Sequence, residues 1–110
     1  LRYALLFCVD EELAEDAAAE ASCRAWTAEM RERGVLGESL GLRPPYEATS
    51  IRVREQNALL TDGPFAETRE QLAGLTVVDC ADLDEALEIA AKHPAARMGV
   101  VEARPLISGH

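Results

Sequence analysis

Histidine, aromatic side chains and positive charge are all scarce in this chain, and each scarcity removes a class of function. The 110 residues include two histidines, 5% aromatics, and 11 Lys and Arg against 20 Asp and Glu, for a net charge of -9. A sequence pI near 4.6 leaves no basic footprint for a phosphate backbone or an anionic lipid surface. No apolar run approaches the ~20 residues needed to cross a bilayer, and no charged segment leads into an apolar stretch with a cleavage site, so a cytoplasmic protein without a membrane partner is expected. The three cysteines form no CxxC pattern, which fits reduced thiols better than a disulfide framework or a metal site. HExxH, Walker-type and GxGxxG motifs are missing too, so no metal and no cofactor is expected.

What is present is a core-forming composition. Apolar residues make up 48% of the chain, enough at this length for a single domain over residues 1–110 with its own interior. Tyr3-Ala4-Leu5-Leu6-Phe7-Cys8 reads as a strand buried on both faces. Asp10 is a suitable N-cap for the helix that follows, Glu11 and Glu12 suit its positive end, and Gly34 stops it after Arg33. On that helix Ala19, Cys23, Trp26 and Met30 fall on one face, as a core stripe should.

Val35 to Leu42 reads as a second strand, ended by Pro44-Pro45. Ser50 to Arg54 alternates as a half-buried strand, and Glu55-Gln56-Asn57 turns it back into Ala58-Leu59-Leu60 as a hairpin. A short helical turn is expected over Glu67 to Gln71, then a buried strand over Leu75 to Cys80. Asp82-Leu83-Asp84-Glu85 is a capping box opening a helix that should bury Leu83, Ala86, Leu87 and Ala90 and end near His93, before Pro94. Met98 to Arg104 reads as the last strand.

A weak repeat organises these elements. Cys8-Val9-Asp10 and Cys80-Ala81-Asp82 each mark the passage from an apolar strand to a capped helix. Two β-α-β halves with a hairpin between them give an α+β, ferredoxin-like plan. The expectation is that the strands preceding the two helices lie side by side and parallel, with Cys8 and Cys80 as neighbours. Two helices cover only one face of such a sheet, yet Tyr3, Leu5 and Phe7 point one way and Ala4, Leu6 and Cys8 the other, and Leu75 and Val77 likewise oppose Val78. Leaving an apolar face in water forfeits roughly 25 cal/mol per Å², so a homodimer packed sheet against sheet is expected.

The chemistry-bearing residues are few. His93 lies in the last turn of its helix, where a partly charged imidazole favours the carbonyl end. Asp62 with Glu67, Thr68, Arg69 and Glu70 forms one polar set; Glu102 with Arg104 forms another, and Arg52 and Arg54 add positive charge. These groups make either a salt-bridge network or an anion-accepting cleft. Within Thr61-Asp62-Gly63-Pro64-Phe65-Ala66-Glu67-Thr68, Pro64 steers Gly63 from a left-handed hairpin turn towards extended backbone.

These segments carry a resemblance. Tyr3-Ala4-Leu5-Leu6, the Asp62-Gly63-Pro64-Phe65 corner with Glu67-Thr68, and Val101-Glu102-Ala103-Arg104-Pro105 resemble the YCII-related proteins, in particular their DGPF subgroup. Ala25-Trp26-Thr27, Gly34-Val35-Leu36 and Pro94-Ala95-Ala96-Arg97 agree in order. The resemblance implies a dimeric α/β barrel with a pocket between sheet and helices. For some of these relatives it implies a His–Asp dyad whose histidine sits on the first helix; here that helix has none, and Cys23 stands in the comparable place, which argues against acid–base chemistry of that kind. A small-molecule ligand at the cleft, an anion being one candidate, is one expectation. Asp62 is then the polar anchor or general base, Trp26 and Phe65 line the site, and Arg97 and Arg104 are anion partners. The other expectation is an accessory module of an extracytoplasmic-function sigma factor, acting through protein contacts and not through DNA.

Overall fold

In the computed structural model, which describes residues 1–10 and 17–107, alternation along the first strand decides what packs on each side of the sheet. The elements run β1 (Arg2–Asp10), α1 (Ala17–Glu32), β2 (Leu36–Gly41), a 3-10 turn (Pro45–Glu47), β3 (Thr49–Arg54), β4 (Asn57–Asp62), β5 (Glu70–Asp79), α2 (Leu83–Ala91), α3 (Ala95–Met98) and β6 (Gly99–Pro105). Tyr3, Leu5, Phe7 and Val9 of β1 are buried, whereas Ala4, Leu6 and Cys8 point the other way and are half-buried. The core is completed by Trp26 and Met30 of α1, Val78 of β5, and Ala86, Ile89 and Ala90 of α2. The helix onset expected at Asp10-Glu11-Glu12 falls outside the described residues. Its far end is as expected, with Gly34 at a φ of +74°, a conformation that costs glycine nothing.

The main sheet has the order β2-β5-β1-β6. Every adjacent pair in it is antiparallel, so this is an α+β fold compatible with the ferredoxin-like plan. The strands before the two helices, β1 and β5, are neighbours as expected, but antiparallel and not parallel. The cause is topological: a crossover helix returns the chain parallel to its starting strand, but one position further out. The second half then inserts its own first strand into the gap. Cys8 and Cys80 are separated for the same reason. Cys8 pairs opposite Leu72 at one end of the β1–β5 ladder, while the Cys80 N–H bonds the Leu1 carbonyl at the other.

Strands β3 and β4 form a separate two-stranded hairpin. Glu55 and Gln56 make its turn with φ of 50° and 68°, the two positive values that a tight right-twisted hairpin requires. The segment Glu67 to Gln71 is not helical: Glu70 already begins β5, and Gln71 Nε2 donates to the carbonyls of Ala66 and Thr68, both at 2.9 Å.

Capping of α2 follows its sequence. Asp82 Oδ1 accepts from the Glu85 N–H at 2.9 Å, and Glu85 Oε1 reaches back to the Ala81 N–H at 2.8 Å. The buried face of α2 is rotated from the expected one: Ile89 joins Ala86 and Ala90 inside, while Leu83 and Leu87 remain 47% and 49% exposed. One cause is the anchoring of α1 onto the last turn of α2, where Trp26 Nε1–H donates to the Ile89 carbonyl at 2.9 Å. Arg33 bonding Glu88 and Lys92 bonding Glu29 tie the outer surfaces of the same two helices.

Candidate functional site

A cavity of about 350 Å³ lies between the inner sheet face, the N-terminal half of α1 and the junction of α2 with α3. Its walls include Phe7, Trp26, Ala73 and Met98, and its polar groups include Cys23, Ser39, Thr76 and His93. Each wall residue is there for a local reason. Phe7 is an inward position of β1, Trp26 is one turn beyond Cys23 on the buried face of α1, and His93-Pro94 is the corner where α2 ends and α3 starts.

His93 is buried and its imidazole is packed between two aromatic rings. It stacks on Phe7 at 3.9 Å with an interplanar angle of 10°, and meets Trp26 edge-on at 4.9 Å and 80°. Its Nδ1 accepts from the Ala95 N–H at 3.0 Å. The expectation of a partly charged ring capping the carbonyl end of α2 is therefore corrected: the ring serves the amide end of the next helix. Burial, helped by the Arg97 charge, lowers its pKa from 6.5 to about 4, so the imidazole is neutral at pH 7.

Cys23 Sγ lies 3.5 Å from His93 Nε2. Burial raises the Cys23 thiol above its ordinary value, and the opposing pull of Arg24 is smaller. Thiol and imidazole are consequently both uncharged, unlike the thiolate–imidazolium pair of a cysteine nucleophile. On the facing strands Ser39 Oγ and Thr76 Oγ1 bond each other at 2.8 Å.

The residues singled out from sequence do not converge. Trp26 lines this cavity; Asp62, Phe65, Arg97 and Arg104 do not. Asp62 ends β4 and borders a more open, polar hollow of about 380 Å³ shared with Tyr46, Pro64, Glu67 and Gln71. Among the described residues no hydrogen bond reaches its carboxylate. The corner is held by backbone instead: the Gly63 N–H bonds the Ala48 carbonyl at 2.7 Å and Ser50 Oγ donates to the Gly63 carbonyl at 2.8 Å. Gly63 has a φ of +100°, so Pro64 leaves it on the positive side of the map. Phe65 is 83% exposed. Arg104 is paired with Glu102 on the sheet face away from the helices, opposite Ala4 and Leu6. Arg69, from the same corner, bonds the buried Asp10 carboxylate at 2.7 Å, so part of the polar set is structural.

Sequence reasoning missed His93 as a cavity residue. A signal was present in His93-Pro94, because a histidine between two helices can serve either the carbonyls behind it or the amides ahead.

The architecture defines the class first: an α+β protein with a split β-α-β sheet and a cleft under its helices. The particular family follows from comparison, since the YCII-related domain matches residues 2–108. The chain belongs to the YCII-related family. It is also 44% identical over 77 residues to an uncharacterised protein of Rhizobium meliloti (strain 1021), an alignment covering 68% of this chain and 62% of that relative. The chain therefore matches somewhat less than two thirds of the relative's length. No helix among the described residues is long and apolar enough to cross a membrane.

Proposed function

We propose that this YCII-related protein is a cytoplasmic homodimer that binds a small molecule in the cavity between sheet and helices, with at most modest catalytic activity. The observation that supports the reading is the approximately 350 Å³ cavity reaching the Cys23–His93 pair. A structural core of this size would be filled, because an empty apolar hollow forfeits packing energy. Trp26 is the sequence-derived residue that this reading retains. The uncharged state of Cys23 and His93 disfavours nucleophilic turnover and suits recognition.

A thermal-shift screen of small aromatic and aliphatic compounds tests the reading, because a ligand that binds the folded state must raise Tm. Trp26 is the chain's one tryptophan, so a true hit must also change its fluorescence. A screen without any hit of this kind defeats the proposal. The rival reading, an accessory module for a sigma factor, draws on the net charge of -9, which suits contact with a basic protein surface. Co-purification with such a factor, alongside a silent ligand screen, would favour it.

A further inference from the structure

The cavity's own chemistry narrows the ligand, provided that the cavity is a binding site as proposed above. The Ala95 N–H donates to His93 Nδ1 at 3.0 Å, which occupies that nitrogen's lone pair. The ring proton must then reside on Nε2. Nε2–H is directed towards Cys23 Sγ at 3.5 Å, and a thiol sulfur is a weak acceptor. Phe7 and Trp26 hold the ring rigidly, so the donor is preorganised but poorly used. An oxygen acceptor placed there would exchange a weak bond for an ordinary one.

Charge supplies the second constraint. Among the described residues the cavity lining carries the carboxylate of Glu20 and no lysine or arginine. An anion entering such a site would lose hydration without touching a cation, the charges of Arg97 and Arg24 reaching His93 and Cys23 only from outside the lining. Size supplies the third, since about 350 Å³ is at the small end of the ~300–1,000 Å³ range of ligand pockets. The geometry points to an uncharged one- or two-ring molecule bearing a carbonyl oxygen, which takes the His93 Nε2–H away from the Cys23 sulfur. This ligand class differs from an anion held by arginines.

Three probes of nearly equal shape separate the constraints: 2-acetylnaphthalene, 2-ethylnaphthalene and 2-naphthoate, titrated into the unaltered protein at pH 7. Binding is read from the indole N–H resonance of Trp26. The ketone should bind about five- to ten-fold more tightly than the hydrocarbon, the worth of one neutral hydrogen bond, and at least ten-fold more tightly than the carboxylate. Equal binding of ketone and hydrocarbon would overturn the role of the Nε2–H donor. Tightest binding by the carboxylate would overturn the charge argument while leaving the cavity as a site. Silence from all three would remove the binding-site reading itself. In His93→Phe, a variant that keeps the stack on Phe7, the advantage of the ketone over the hydrocarbon should vanish; its persistence would overturn the assignment. Cys23→Ala should leave the ketone's affinity intact or raise it, whereas a loss of ten-fold or more would make the sulfur, not the imidazole, the anchor.

Discussion

His93 concentrates the physics of the site in one side chain. Its ring is neutral because charging it between Phe7 and Trp26 would leave the imidazolium poorly solvated. With a folded-state pKa of about 4 against 6.5 in the unfolded chain, the contribution to stability is complete above pH 6.5. As pH falls below 6.5 the unfolded chain takes up a proton that the folded ring refuses, and stability is lost until the ring protonates near pH 4. The loss should be on the order of 1–2 kcal/mol by pH 5, measured by chemical denaturation. Proton NMR of the ring should give a midpoint near 4, whereas one near 6.5 would show an imidazole open to water. Cys23 makes a parallel case. Iodoacetamide at pH 7 should label it more slowly in the folded than in the denatured protein, because burial holds its proton on. Labelling that is faster in the folded state, seen by peptide mass spectrometry, would contradict an uncharged thiol. The identity of these residues was legible in the sequence, but their meeting was not. Cys23 and His93 are 70 positions apart and come from different β-α-β halves.

At the scale of elements, local signals and packing signals divide cleanly. The capping box at Asp82, the stop at Gly34 and the Glu55-Gln56 turn are set by a few consecutive residues, and all three are present as read. Asp82→Ala should cost about 1 kcal/mol, since it orphans the Glu85 N–H. Gly99→Ala should cost more, about 2–3 kcal/mol, because a Cβ there would run into the Cys8 carbonyl where β6 pairs with β1. Urea denaturation of both variants ranks the two effects, and the reverse order would undermine the close β1–β6 approach. The buried face of α2 was less legible. Leu83 and Leu87 are as apolar as Ile89, and what places Ile89 inside is the approach of Trp26 from another helix. The strand at Glu70 was missed because Glu67-Thr68-Arg69-Glu70 has the composition of a helix start. Pairing with Asp10 and Val9 overrides that local preference.

The whole molecule is thin and spread out. Its principal extents are 48 × 38 × 18 Å and its radius of gyration is 15.7 Å, against ~13 Å for a compact domain of this length. Helices cover one side of the main sheet; Leu6, Leu75 and Val77 face the other, with Leu40, Leu72 and Val100 exposed beside them. The β3–β4 hairpin also presents Ile51, Val53, Leu59 and Leu60 to solvent, although an isolated two-stranded sheet is marginal in water. A homodimer that covers these surfaces should sediment as a single species at micromolar concentration. Leu6→Glu, at the centre of the open face, should dissociate it; a wild-type monomer under those conditions would defeat the proposal.

What the sequence determined by itself is what short-range chemistry can carry: the alternation that makes β1 two-faced, the caps and turns, and the acidic surface. The tertiary structure alone decided that β1 and β5 run antiparallel, that Asp62 lies away from Trp26, and that His93 comes to Cys23 over a cavity. Those outcomes depend on which distant segments share one sheet and one interior, and no run of neighbouring residues encodes that choice.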